Sequence, residues 1–252
     1  MLASIVPSDA LEASWLDTYE KQRNVIWQQL IELNCNIFLI EKIEAFPFNL
    51  FLPIYDDRIF WHLTKNALIE KSIMIISRVA TDEGSLTIKH FRSEVLKHIR
   101  DDAVKDQLRA TLKNIGFDTR MSKVENKVKH ARNNYLAHLD PDLNINPDPQ
   151  KIADFAISLN DIKDMLNIIV ELFDALCFDT HHALWYWGYL DSRRDQQDTD
   201  IEKLLDSVAK ESPLLNMPEQ QSEFWEIQKE NYLATELAML NVFRRKFGLA
   251  EI

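Results

Sequence analysis

Apolar residues recur at helical intervals along most of the chain, and the pattern predicts long helices in place of strands. Leu16, Ile26, Leu30, Leu33 and Ile37 share one stripe of a helix expected over residues 11–45, which Pro47 must stop. Pro47 and Pro53 bracket a short apolar connector at residues 48–51. Asp56 and Asp57 suit a second helix start, and Ile59, Leu63, Leu68, Ile69, Ile73 and Ile76 give that helix a core face as far as residue 79. After a turn at 81–85, helices are expected over 87–99 and 101–115, with Gly116 as the stop. The next spans 119–139 and ends at Asp140-Pro141, because the residue before proline resists the helical conformation. Residues 140–150 hold three prolines and form the clearest internal loop. A long helix over 160–189, a polar linker at 191–200 and helices over 201–209 and 219–247 complete the pattern.

The expected fold is therefore all-α. Residues 1–190 form a bundle of long antiparallel helices, and residues 191–252 form a linker and a helical extension. Composition agrees: 4 glycines among 252 residues are too few for a hairpin-rich or Rossmann-type protein. Cys35 and Cys177 lie in apolar helical patterns and read as buried small side chains, not as a disulfide. The start of the chain lacks the pattern of a signal peptide, and apolar runs such as residues 37–40 are too short to cross a bilayer. A cytoplasmic location with no membrane partner is expected. No phosphate-binding glycine loop, Gly-x-Ser-x-Gly elbow or zinc-type cysteine pair occurs.

The net charge of −11 argues against a dedicated duplex-DNA binder. Local charge differs. Arg120, Lys123, Lys127, Lys129 and Arg132 face Glu125 alone, a balance of +4 on one helix. That run reads either as a solvated helix face or as a phosphate-contacting strip. It leads into Arg132-Asn133-Asn134-Tyr135-Leu136-Ala137-His138-Leu139-Asp140. An arginine can hold a phosphate and its developing charge, and a histidine can move a proton near neutral pH.

Residues advance about 100° each around a helix, which sets Val124, Val128, Ala131 and Tyr135 on one apolar stripe. Arg132 falls on one edge of it and His138 on the other, about 9 Å apart along the axis. One copy keeps the two groups too far apart to grip the same phosphate oxygen. A symmetric dimer through this helix would bring two of each into one groove. The plainer reading stays open: His138 as a helix-end residue and Arg132 as an ion-pair partner.

The Arg132-Asn133 pair, followed after five residues from Arg132 by His138, resembles the signature of the HEPN (higher eukaryotes and prokaryotes nucleotide-binding) family. Ala137-His138-Leu139-Asp140 is similar to its abortive-infection, U-type branch. So is the upstream segment Ile76-Ser77-Arg78-Val79-Ala80-Thr81-Asp82 with Ser85-Leu86-Thr87-Ile88. The likeness covers residues 11–189. It implies a helical bundle that dimerises and cuts RNA without metal or cofactor, as toxins and phage-defence proteins of the family do. His138 would then be general acid or base while the ribose 2′-hydroxyl attacks the adjacent phosphate, leaving a 2′,3′-cyclic phosphate. Arg132 would stabilise the transition state, and Asn133 would orient it or the phosphate. Lys123, Lys127, Lys129 and Tyr135 are the candidate RNA contacts, and a cognate antitoxin is a candidate partner. Some family toxins are silenced at a tyrosine two residues after the histidine; Asp140 stands there, so that control is not expected.

Two other readings compete. One is a non-catalytic RNA-binding or scaffold protein of the same family. The other is a metal-binding bundle, because His90, Glu94 and His98 share one helix face. Asp179, His181 and His182 are a weaker second group, since adjacent histidines diverge on a helix. The Trp185-Tyr186-Trp187 cluster reads as core or interface, and Arg244-Arg245-Lys246 as cations suited to a helix C-terminus.

Overall fold

The computed structural model describes residues 5–52, 58–81, 86–132, 157–178, 199–216 and 232–251. These form helices α1 (Pro7–Ala10), α2 (Leu16–Ala45), α3 (Phe48–Phe51) and α4 (Ile59–Ile76), then a π-helical turn (Ser77–Thr81). They continue as α5 (Ile88–His98), α6 (Asp102–Ile115), α7 (Phe117–His130), α8 (Leu159–Leu176), α9 (Asp200–Glu211), α10 (Pro213–Asn216) and α11 (Ala234–Lys246). Among the described residues there is no strand, and the only extended pairing is a bridge between Leu11 and Ile99. None of the helices is long and apolar enough to cross a membrane.

The all-α expectation therefore holds, with several boundaries moved. Leu11 does not begin α2. It is pinned as extended chain: the Glu12 N–H donates to the His98 carbonyl (2.9 Å) and the Arg100 N–H to the Ala10 carbonyl (3.0 Å). Gly116 stops α6 as expected, at φ +61°, where a side chain would be strained. Thr87 and Asp101 cap α5 and α6 by accepting from His90 N–H (3.2 Å) and Ala103 N–H (2.7 Å). Ser158 and Asp161 form a reciprocal capping box at the start of α8.

The chain divides into two compact units, residues 1–38 with 67–192, and residues 39–66 with 193–252. Residues 39–66 group with the C-terminal residues through the aromatic connector after α2. Phe46 and Phe51 meet Phe243 at 5.7 and 4.8 Å between ring centroids. In this unit Glu202 pairs with Lys42 and accepts from the Thr199 N–H (2.9 Å). Burial would raise the Glu202 carboxyl, but Lys42 and Thr199 outweigh it and hold it down at about 2. Leu63 and Ile59, expected in the core, are 61% and 42% exposed.

The first unit is organised around α8. Ile162, Met165, Leu166, Ile168, Ile169, Val170, Leu172, Phe173, Ala175 and Leu176 are all buried on a broad face, while Asn160, Asp164, Asn167 and Glu171 are exposed on the opposite one, so the apolar face is wider than one partner helix covers. Helices α5, α6 and α7 pack against it. Tyr19 of α2 stacks on Phe91 of α5 (5.5 Å) and donates its hydroxyl to the Leu176 carbonyl (3.2 Å). Cys177 is buried beside it, as the sequence suggested, and burial pushes its thiol well above the usual range. Cys35 is less deeply placed.

Phe91 has no exposed surface. Phe91→Ala is expected to cost about 3–5 kcal/mol, read as a lower urea midpoint at unchanged slope. A loss below about 1 kcal/mol would contradict this packing.

Candidate active site

Helix α7 carries the basic run. Gly116 turns the chain from α6 into it, and Phe117, Met121, Val128 and Ala131 are buried at heptad-like intervals along its inner face. Val124 packs against the same core from a half-buried position. The stripe read from the sequence is thus covered within the protomer as far as Ala131, against α8 and the π-helical turn. A dimer built on this helix must use its other faces or residues beyond Arg132.

Ala131 keeps helical backbone angles (φ −58°, ψ −45°), which carries Arg132 past the end of α7 in helical register. Arg132 lies half-buried at the edge of the stripe, as the helical arithmetic expects. One guanidinium nitrogen, Nη1, donates to Ser77 Oγ at 2.9 Å. Ser77 is fully buried, and its hydroxyl lies 3.2 Å from Thr81 Oγ1. The Thr81 hydroxyl also reaches the Ser77 carbonyl at 3.2 Å. The two sequence segments that carry the HEPN likeness, far apart along the chain, meet at this bond. Asn133, Tyr135 and His138 lie outside the described residues.

Other cations of α7 have carboxylate neighbours. Arg120 grips Glu171 through both Nη atoms, one at 3.0 Å. Lys127 lies 3.8 Å from Asp161, and Lys129 lies 3.0 Å from Glu125, which Lys89 approaches at 3.5 Å. Lys123 belongs to the same helix. The balance of +4 along the sequence is therefore not the balance in space, because acids from α8 come beside α7. These pairs are partly solvated and each contributes about 0–1 kcal/mol, so a phosphate can compete for the lysines.

The carboxyls respond accordingly. The Ser158 backbone N–H, more than Lys127, holds Asp161 below its usual range. The Arg120 hydrogen bond lowers Glu171. Burial would raise Glu125, but Lys129 and Lys89 outweigh it and leave it lowered.

The metal trio is not gathered into a site. His98 stacks on Trp15 at 4.7 Å and binds Glu12 through Nδ1 at 2.8 Å, with Glu94 3.7 Å from its Nε2. His90 is exposed. Among the described residues no group of three His, Cys, Asp or Glu side chains could hold a metal ion. Asp179, His181, His182 and the Trp185-Tyr186-Trp187 cluster lie outside the described residues. Of the C-terminal cations, Arg244 is buried and donates to the Ala250 carbonyl (2.6 Å), while Lys246 pairs with Asp206 (2.6 Å).

Sequence reading gave Ser77 and Thr81 no role. Their signal was two hydroxyls four residues apart in the run from Ile73 to Thr81, whose other residues are apolar except Arg78.

The lowered carboxyls set a pH dependence. Each is ionised more readily in the folded chain, so its stabilisation is complete above the ordinary carboxylate range and is lost as pH falls through its folded value. Asp161→Ala is expected to cost about 1 kcal/mol at pH 7 and to make thermal stability less steep between about pH 5 and 3. An unchanged slope in melts across that range would contradict it.

Residues 17–211 match the family model described as AbiU2, a HEPN family. No curated protein and no solved structure matches the chain. The match runs from the second residue of α2 to the end of α9 and includes both segments joined by the Arg132–Ser77 hydrogen bond; the chain belongs to the AbiU2 family of HEPN domains.

Proposed function

We propose that the protein is a metal-independent endoribonuclease of a toxin–antitoxin or phage-defence system, acting as a homodimer. Membership of an abortive-infection HEPN family supports the setting. The observation that carries the reading is Arg132, tied to a buried neutral hydroxyl at the start of the Arg-Asn…His segment. A hydrogen bond to that hydroxyl restrains the guanidinium, which suits a group that must meet a phosphate in a set orientation.

In the proposed reaction the ribose 2′-oxygen attacks the adjacent phosphorus, and the P–O bond to the 5′-oxygen breaks. His138 moves the protons as general base or acid: the 2′-hydroxyl loses one, and the leaving 5′-oxygen gains one. Arg132 stabilises the extra negative charge on the phosphorane-like transition state, and Asn133 orients Arg132 or the phosphate. Products are a 2′,3′-cyclic phosphate and a 5′-hydroxyl. Lys123, Lys127 and Lys129 contact the RNA backbone, and Tyr135, which falls between the two reactive groups in the sequence, is a further RNA contact. A cognate antitoxin would be the protein partner, and the cytoplasm the compartment.

Purified protein is expected to cleave RNA in chelator and to leave cyclic phosphate ends. His138→Ala and Arg132→Ala should each lower the rate by at least about a hundredfold. Equal cleavage by wild type and both variants would favour the non-catalytic alternative, and products with 3′-hydroxyl ends would contradict the mechanism.

RNA binding tests the lysines separately, with a 2′-deoxy oligonucleotide that cannot be cleaved. Lys127→Ala with Lys129→Ala should flatten the plot of log affinity against log salt by about 1.4, two phosphate contacts on a single strand. An unchanged slope would remove both residues from the RNA path.

A further inference from the structure

The π-helical turn at Ser77–Thr81 buries two hydroxyls beside an arginine. Nη1 of Arg132 donates to Ser77 Oγ (2.9 Å), Ser77 Oγ is 3.2 Å from Thr81 Oγ1, and Thr81 Oγ1 donates to the Ser77 carbonyl (3.2 Å). One proton order satisfies all three contacts. Ser77 Oγ accepts from the guanidinium and its own hydrogen is available for Thr81 Oγ1, while the Thr81 hydrogen goes to the carbonyl. The contacts then run from the guanidinium to the turn's own backbone.

Such an anchor constrains a side chain that is otherwise rich in rotamers. Ordering an arginine side chain costs rotamer entropy, and a fixed edge removes part of that cost before substrate arrives. The surroundings strengthen the restraint. Ile76, Val79 and Ala80 flank the hydroxyls and are buried, so water is poorly placed to replace either one. The turn packs on both α5 and α7, which ties its position to the core. Arg120 of the same helix is held by a carboxylate, whereas this bond of Arg132 is to a hydroxyl.

We propose that Ser77 and Thr81 are positioning residues for Arg132, a hydroxyl relay that sets the orientation of its guanidinium toward the scissile phosphate. The proposal rests on the ribonuclease reading above. Neither hydroxyl touches the reacting atoms; both act through the arginine. Loss of the relay therefore lowers the chemical step and leaves substrate binding nearly intact.

The test is single-turnover RNA cleavage by the full-length protein with Ser77→Ala, Thr81→Val and Thr81→Ser, with melting temperatures alongside. Thr81→Val keeps the shape and removes the hydroxyl; Thr81→Ser does the reverse. Ser77→Ala and Thr81→Val are expected to lower the maximal rate by about tenfold with half-saturation within about twofold. Thr81→Ser should recover most of the rate lost in Thr81→Val. The nitrogen NMR signals of the Arg132 guanidinium should broaden or shift in the two hydroxyl-free variants and not in Thr81→Ser. Wild-type rates in both hydroxyl-free variants would overturn the relay and leave the ribonuclease reading standing. A rate that follows melting temperature, with Thr81→Ser as slow as Thr81→Val, would overturn it as well. A wild-type protein that cleaves no RNA would sink the ribonuclease reading and the relay's catalytic role with it. The guanidinium signals would then show only whether the hydrogen bond exists.

Discussion

The need to cover the broad apolar face of α8 governs the first unit. Its buried residues spread over more than half of the helix circumference, with Asn160, Asp164, Asn167 and Glu171 left exposed on the rest, so no single partner can satisfy it. Helices α5, α6 and α7 are drawn against it, and Tyr19 adds the hydroxyl that meets the Leu176 carbonyl near its end. Each covering helix gives up its apolar face to that task. For α7 the face is Phe117, Met121, Val128 and Ala131, and the register it imposes carries the next residue, Arg132, to the edge of the core. The position of the candidate arginine is therefore a by-product of hydrophobic packing, set before any contact with RNA.

Electrostatics divides the cations of α7 into two kinds. Arg120, Lys127 and Lys129 lie beside Glu171, Asp161 and Glu125 at the partly solvated margin, where ion pairs form and exchange at little cost. Arg132 binds inward to a buried hydroxyl. That bond ties the guanidinium to the packed turn and so to the core.

Much of the fold was legible because helical spacing reports burial directly. Gly116 as a stop, the start of α5 at Thr87 and the apolar stripe of α7 all follow from local rules. Leu11 failed those rules because a tertiary bridge to Ile99 holds it extended. Ile59 and Leu63 failed because periodicity marks a face without saying whether anything covers it. The candidate site was legible only in part. Arg132 stands out by type and spacing, whereas Ser77 and Thr81 enter the sequence reading only as part of the segment with the HEPN likeness. Their pairing with Arg132 spans 55 residues of sequence, and no local rule reaches that far.

The packing also limits how two copies can meet. The stripe that seemed free to form a dimer groove is already buried as far as Ala131. Among the described residues of α7, the edge with Arg132 and the margin with the lysine–carboxylate pairs lie outside that stripe. A contact there would be polar, and its acids would repel RNA unless the lysines exchanged carboxylate for phosphate. RNA could then strengthen the dimer by taking up the cations that each protomer keeps paired in isolation. In the proposed enzyme, association and substrate binding would be linked through the same lysines, with the salt sensitivity of one appearing in the other.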